Sequence, residues 1–484
     1  MICQSNIFKN CIAAGLLMVL MLCSCSDDIR REQYPGGSLK ADIPLADGRP
    51  HGTARYYYPT GSLQQVVQYD NGTVHGTLWQ YSPSCTITKI ERYRQGVLEG
   101  ETRTFFPDRK CATKFVYRQG LREGHYSTYY ESGAVKIQGA YIHGSEDGLR
   151  STSYESGGVL KEEPVAADLV QGIVKEYYES GRLKAETTFI NNTADGSYTG
   201  YYENGSVSLR GSFRKGLREG LFTEYDAEHH PAAEQTYRAG KLDGIMKTFY
   251  PNGTLLSLTP YVRGSCQGMA TRYYRSGRLL AEEPYVGGLR EGGSIMYFEN
   301  GKVETAEHFR KGFSEGPCRM YDRKGRLRRE QHAAGGLLDG PATIFHGNGA
   351  VAGRFQYKNG SLNGPARWLD EQGRLLCEEN YRDNLLEGSM RTWYPGKTVM
   401  EERLYKDGRL EGLTWYYDEH GRLTGQTVFA AGDPVEAREF FENGSLRSLE
   451  IYDTGELASK KIFDRRGQVE SEQVFAPGEL PAAP

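Results

Sequence analysis

After residue 24 the 484-residue chain has no long apolar run, and it contains only four tryptophans and 38% hydrophobic residues. A chain of this length would ordinarily hold about three domains. So little apolar material argues against three thick cores. Strong charge of one sign is missing as well. The balance of 59 basic against 62 acidic side chains, net −3, removes the electrostatic footprint of a nucleic-acid binder. Disorder is excluded too, because 12% of the residues are aromatic and the net charge is near zero. There is no HExxH, no CxxC and no nucleophile elbow, and the ten histidines are scattered. The expectation is no catalytic residue, no bound metal and no cofactor.

What the chain does have is glycine, 60 residues, and tyrosine, 34. From Gly52 to Gly412 a glycine recurs every 24 residues at 16 consecutive places. Such a period has to be read before any domain is drawn. With that glycine as position 0, position 9 is Gly in 12 repeats and position 20 in 13, the exceptions at position 20 being Asp168, Asn192 and Asn384. Asn and Asp tolerate the left-handed backbone best after glycine, so position 20 requires positive φ. Position 5 is aromatic in 14 repeats, position 17 is aromatic in 14, and position 11 is Leu, Ile or Val in 14.

Each repeat therefore reads as a strand, a tight turn at positions 7 to 9, a second strand, and a glycine-bounded loop from 20 to 24. Pro stands at position 7 in five repeats, as in Tyr250-Pro251-Asn252-Gly253. A three-residue loop uses it well, with Pro opening a type I turn and Gly taking the left-handed bulge position. That loop sets position 5 across from position 11, and period-two alternation adds position 17 to the same face. The opposite face is left with a second tyrosine column at position 6, made of Tyr58, Tyr130, Tyr154, Tyr178, Tyr202, Tyr250 and Tyr274. These seven are the candidate binding surface, since positions 5, 11 and 17 already supply the packing.

The fold class expected is all-β: an elongated repeat protein, an antiparallel β-meander of 24-residue hairpin units. The array spans 34–475, with an irregular cap from about 435 where Phe441-Glu442-Asn443-Gly444 keeps the turn but the long loop is lost. Residues 476–484 read as a disordered tail.

Eleven repeats carry Asp or Glu at position 23, among them Glu99, Glu123, Glu219 and Glu411. A ladder of cation sites is one reading. Carboxylates that accept backbone N–H groups of the loop is the other, and it is preferred because successive acids would lie about 10 Å apart, too far to share an ion. Cys85, Cys111, Cys266, Cys318 and Cys377 fall at five different repeat positions, so they are expected to be free thiols.

The N-terminal stretch sets the expected address. Residues 12–24 are apolar and follow a single charge at Lys9; about 20 residues are needed to cross a bilayer, so 1–24 read as a signal peptide. Its end, Leu22-Cys23-Ser24-Cys25, resembles the lipobox of bacterial lipoproteins. Cys25 is the lipidated residue, because it follows the small Ser24 whereas Cys23 follows the bulky Leu22, and 25–33 form a tether. The resemblance implies an outer-membrane lipoprotein of the bacterial cell envelope, held by its N-terminal lipid. The following Ser26-Asp27-Asp28 resembles the acidic tag that follows the lipidated Cys in some Gram-negative surface lipoproteins, and that resemblance makes the outer face the candidate side. A plain secretory signal with incidental cysteines is the alternative.

The segment Tyr201-Tyr202-Glu203-Asn204-Gly205-Ser206-Val207, followed by Lys215-Gly216-Leu217-Arg218-Glu219-Gly220, resembles the MORN-repeat variant of bacterial proteins, some of them described as antitoxin-like. The resemblance covers about residues 34–475. It implies scaffolding, self-association and lipid contact, and it brings no catalytic residues. The function expected is a lipid-anchored, non-enzymatic β-repeat scaffold for protein–protein interaction at the cell envelope, with unidentified envelope proteins as partners and no nucleic acid. Two other readings stay open: glycan or cell-wall binding through the tyrosine columns, and an antitoxin-like or immunity role.

Overall fold

The computed structural model describes residues 28–476, and every regular element in that span is a β-strand. The chain divides into two compact units, Met1–Ala194 and Asp195–Pro484. Within each, consecutive strands pair antiparallel in the 24-residue period, as expected of a β-meander.

One repeat of the second unit shows how the residues dictate the geometry. Strand Gly244–Phe249 pairs with Leu255–Val262, and Phe249 at position 5 lies opposite Leu255 at position 11. The connecting loop closes with Tyr250 and Thr254 sharing a 2.8 Å N–H···O bond, and Gly253 takes φ +81. This is the three-residue loop with a left-handed third residue. The same conformation is forced on Cys85, Arg109, His229 and Lys397, whose φ values run from 61 to 74. At the other end Arg263 and Gly264 have φ of 51 and 90 between the paired Val262 and Ser265. Positive φ at both central residues is the signature of a type I′ hairpin turn. The long loop expected from 20 to 24 is therefore this two-residue turn at positions 19 and 20, then the short strand Ser265–Cys266, then a bulge at Gln267. Gly268 at position 0 has φ +108, and all sixteen phased glycines have positive φ. That backbone strongly disfavours residues with a Cβ, which is why glycine holds the position in each of these repeats.

A second bulge overturns part of the sequence reading. Phe249 faces Leu255, yet Thr248 faces Ser257, so Leu256 at position 12 is an extra residue in the second strand. The shift recurs in the first unit, where Tyr57 faces Leu63 and Tyr56 faces Gln65. One inserted residue advances the alternation by one. Position 17 therefore pairs with position 0, as Tyr261 does with Gly244 and Tyr69 with Gly52. It shares a face with positions 2, 4, 13 and 15, and lies opposite positions 5 and 11.

Burial follows this corrected register. The most enclosed column is position 2, with Ala54 and Val174 in the first unit and Phe222 and Ala366 in the second, none more than 2% exposed. Its occupants vary in size because positions 13 and 15 compensate. Gly139 stands opposite Tyr126, and a Cβ there would lie 2.6 Å from a Tyr126 ring carbon. A Cβ on Gly211 would overlap the ring of Phe222. Such fitting of large against small is how a thin core reaches normal packing density. We call this buried side the inner face and the side of positions 1, 3, 5, 11, 14 and 16 the outer face.

At the start of the described chain, Asp28–Gln33 is a strand antiparallel to Leu39–Ala46. The part of the tether reading that covers 28–33 thus gives way to a strand in the phase of the array. At the far end Asp433–Phe440 runs unbroken from the turn at Ala431 and Gly432, as Thr73–Tyr81 and Leu337–Phe345 do within the array. Cys25, the leader 1–24 and residues 477–484 lie outside the described residues.

Candidate functional site

The position 6 tyrosines sit where the first strand enters its three-residue loop, and each is half-buried. Their hydroxyls reach into the next repeat. Tyr58 donates to the carbonyl of Tyr81 at 2.8 Å, Tyr130 to Ser153 at 2.9 Å and Tyr154 to Tyr177 at 2.8 Å. In the second unit Tyr202 donates to Tyr225 at 2.7 Å, Tyr250 to Tyr273 at 2.9 Å and Tyr274 to Tyr297 at 2.7 Å. Tyr178 carries the Lys184 ammonium 5.7 Å from its ring centre, and Tyr130 carries Lys136 at 5.3 Å. Burial, with the Glu304 and Glu299 carboxylates, pushes the Tyr274 phenol up from its ordinary value. The column assumed to lack a structural duty thus laces each repeat to its successor. The structure brings Tyr130, Tyr154 and Tyr178 into one row along the turn edge of the first unit, and Tyr250 and Tyr274 into another in the second. Tyr58 stands apart, separated by Ser82 and Phe106 at the same position.

Where position 6 is Asp, the turn closes on itself. The Asp322 carboxylate accepts the main-chain N–H groups of Lys324 and Arg326 at 2.9 and 3.0 Å, and the Arg326 guanidinium donates to its other oxygen at 2.9 Å. These bonds hold the Asp322 carboxyl down at about 2. Asp370 and Asp418 repeat the arrangement with Arg374 and Arg422, and Asp226 does so with His230.

The position 23 acids behave as backbone acceptors. Glu99 takes the N–H of Gln119 at 2.8 Å, Glu123 that of His143 at 2.7 Å, Glu219 that of Ala239 at 2.8 Å and Glu411 that of Ala431 at 2.7 Å. Each donor is position 19 of the following repeat, the first left-handed residue of the type I′ turn. The second N–H of that turn also goes backwards, as Gly264 donates to the carbonyl of Leu242 at 2.7 Å. Both edges of the sheet are thereby cross-braced.

The inner face mixes rings and paired charges. The Arg122 guanidinium lies 4.3 Å from the centre of Phe115 and 5.1 Å from that of Tyr141, and Arg218 lies 4.7 Å from Phe222 and 5.3 Å from Tyr237. The buried Glu146 accepts from the Tyr126 hydroxyl at 2.5 Å and from Arg150 at 3.0 Å. Burial would raise the Glu163 carboxyl, but hydrogen bonds from Arg150 and Lys161 outweigh it and hold the group below the usual range. Glu146 and Glu163 are thus paired with Arg150 and Lys161 rather than left as isolated buried charges.

The five cysteines are free. Burial raises the Cys318 thiol, and burial with the Glu379 carboxylate pushes Cys377 up to about 12, which keeps both as inert thiols. Among the described residues no group of three His, Cys, Asp or Glu side chains is placed to hold a metal.

A feature outside the sequence reading lies on the outer face. Leu221, Ile245 and Met269 occupy position 1 of three successive repeats and are 53%, 52% and 49% exposed. They face Thr236, Pro260 and Pro284 across the hairpin. In the first unit Leu149 and Ile173 hold the same position beside Pro164 and Thr188. Apolar residues at position 1 of consecutive repeats were legible as a pattern. Their exposure was not, because it depends on the position 12 bulge.

Four segments, 50–71, 122–143, 170–191 and 242–263, match the family model described as MORN repeat variant. No curated protein matches the chain. Among solved structures, the crystal structure of TcdB2-TccC3-Cdc42 is 13% identical over 92% of this chain and 27% of its own, with a TM-score of 0.13. The Photorhabdus luminescens Tc holotoxin pore is 13% identical over 91% of this chain and 27% of its own, also at 0.13. The chain spans about a quarter of the length of these structures, and no argument rests on a likeness of that size. Each of the four family matches runs from position 22 of one repeat to position 19 of the next, so the chain carries MORN-variant repeats at those four places, in phase with all its other repeats.

Proposed function

We propose that the protein is a non-enzymatic β-repeat scaffold that holds a protein partner at the bacterial cell envelope, tethered there by lipid on Cys25. The observation that carries the binding half of this reading is the exposed row Leu221, Ile245 and Met269. Large apolar side chains in consecutive repeats leave a stripe on a face whose next columns carry polar groups, among them Lys247 paired with Glu234 at 2.8 Å. Contiguous apolar surface rimmed by polar groups is the usual mark of a protein contact. Glycan binding through the position 6 column has less support, since the hydroxyls of Tyr58, Tyr130, Tyr154, Tyr202, Tyr250 and Tyr274 are already donated within the chain. The tether is supported by the apolar stretch 12–24 and the Leu-Cys-Ser-Cys sequence that ends at Cys25.

Two measurements test the reading. Cross-linking in intact cells should recover a partner with the native chain and lose it when Leu221, Ile245 and Met269 are all replaced by Ser, with the melting temperature little changed. Undiminished recovery would remove the row from the interface. Cys25→Ala should move the protein from the membrane fraction to the soluble one, and retention in the membrane would contradict the lipid tether.

A further inference from the structure

The first and last strands described, Asp28–Gln33 and Val469–Val474, each pair on one side only among the described residues. All six residues of the last strand are exposed, and five of the six in the first. Open strand edges of this kind carry unpaired N–H and C=O groups that another strand can use. Here the two edges fit each other in phase. Gln33 faces Leu39 as position 5 faces position 11, so Asp28–Gln33 occupies positions 0 to 5. Val469 faces Phe463 in the same way, so Val469–Val474 occupies positions 11 to 16. The last described strand is the one that, in the repeats, a position 0 to 5 strand follows.

The register of such a joint is fixed by the repeats. Position 13 pairs with position 4 of the next repeat and position 14 with position 3, as Ala41 does with Tyr56 and Asp42 with Arg55. Ser471 of one copy would face Glu32 of another, and Glu472 would face Arg31. The Phe475 N–H points back to the Ala458 carbonyl at 2.9 Å, so alternation turns the main-chain groups of Val474 and Glu472 to the open edge. Charge agrees with register. Glu472 pairs with Lys461 at 2.9 Å and Arg31 with Asp42 at 3.2 Å; side by side they form a row of alternating sign. Within the chain the same relationship exists between Glu234 at position 14 and Lys247 at position 3, 2.8 Å apart. Val474, 77% exposed, and Ile29, 49% exposed, would lie side by side.

We propose that copies of this chain join head to tail, the Val469–Val474 edge of one copy pairing antiparallel with the Asp28–Gln33 edge of the next, so that the repeat continues from chain to chain. The joint uses neither the exposed row on the outer face nor the lipid, and its failure leaves the partner-binding reading standing.

Sedimentation velocity of the purified full chain from about 1 to 100 μM, the range suited to an interface of one strand pair, should show growth with concentration. Glu472→Pro removes an N–H that faces the open edge and none that faces Lys461. It should weaken association about tenfold or more and leave the melting curve in place. Should the proline perturb folding, Glu472→Arg supplies the second arm: it should weaken association, and Arg31→Glu in the same chain should restore it. A native chain that stays monomeric over the whole range overturns the proposal. So does association that neither Glu472→Pro nor Glu472→Arg alters.

Discussion

The hydroxyl of Tyr250 donates to the main-chain carbonyl of Tyr273, 2.9 Å away in the next repeat. A sheet held only by its ladder would rely on hydrogen bonds between adjacent strands. This contact adds a side-chain tie between successive turns, at the edge where the strands end. Stability in such arrays comes from interfaces between neighbouring repeats, so the tie acts where cooperativity is decided.

Removing the tie should be measurable without repacking. Tyr250→Phe and Tyr274→Phe keep the ring and lose the donor, and each should lower the unfolding free energy by about 0.5–1.5 kcal/mol in urea titration. Equal stability to the native chain would show that the hydroxyl bond adds nothing over water.

The left-handed third loop residue makes a prediction of opposite sign. Arg109 and Lys397 hold φ of 71 and 74 where most repeats have glycine. Arg109→Gly and Lys397→Gly should each stabilise by about 1 kcal/mol, while Gly253→Ala should destabilise by a similar amount. The check is the direction of the melting-temperature shift, since loss of stability in the Gly variants would mean that their native side chains are held by contacts of their own.

Acid should loosen the Asp-closed turns. The Asp322 carboxyl is held at about 2 against an ordinary 3.8, chiefly by the Arg326 backbone N–H, and Asp226, Asp370 and Asp418 are lowered as well. A lowered folded-state value favours the folded protein wherever the carboxylate is ionised, so the contribution is complete above about pH 4 and is lost as pH falls through about 2. Melting temperature should therefore decline between those values, and Asp322→Asn should flatten part of that slope. A slope unchanged in Asp322→Asn would assign the acid sensitivity elsewhere.

The turns were legible from residue types because left-handed backbone selects for glycine at positions 0, 9 and 20, with asparagine and aspartate as the substitutes at position 20. Position 19 is equally left-handed but holds residues such as Gln95, Lys215 and Arg263. There the type I′ turn and the carboxylate that accepts its N–H impose the conformation whatever the side chain. The position 12 bulge was invisible for a similar reason: Gln64, Lys136, Leu160 and Lys184 share no chemistry, since the bulged residue only has to be extra. Missing it put position 17 on the wrong face and hid position 2, whose Ala54, Tyr126, Phe222 and Cys318 form no recognisable class. The tyrosine column was found from sequence, but its hydroxyl bonds were not, because they depend on the spacing of neighbouring turns.

The register that places positions 2 and 15 together in the core is tested most directly by a double-mutant cycle on Gly211 and Phe222. A Cβ at Gly211 would overlap the Phe222 ring, and Gly211 has no positive φ to complicate the change. Gly211→Ala alone should cost about 1–3 kcal/mol through overpacking, and Phe222→Ala alone about 3–5 kcal/mol. In the double variant the new methyl enters the space the ring has left, so the combined loss should fall short of the sum by about 1–3 kcal/mol. Strict additivity of the two losses would mean that these side chains do not meet, and the bulge-shifted core would be wrong.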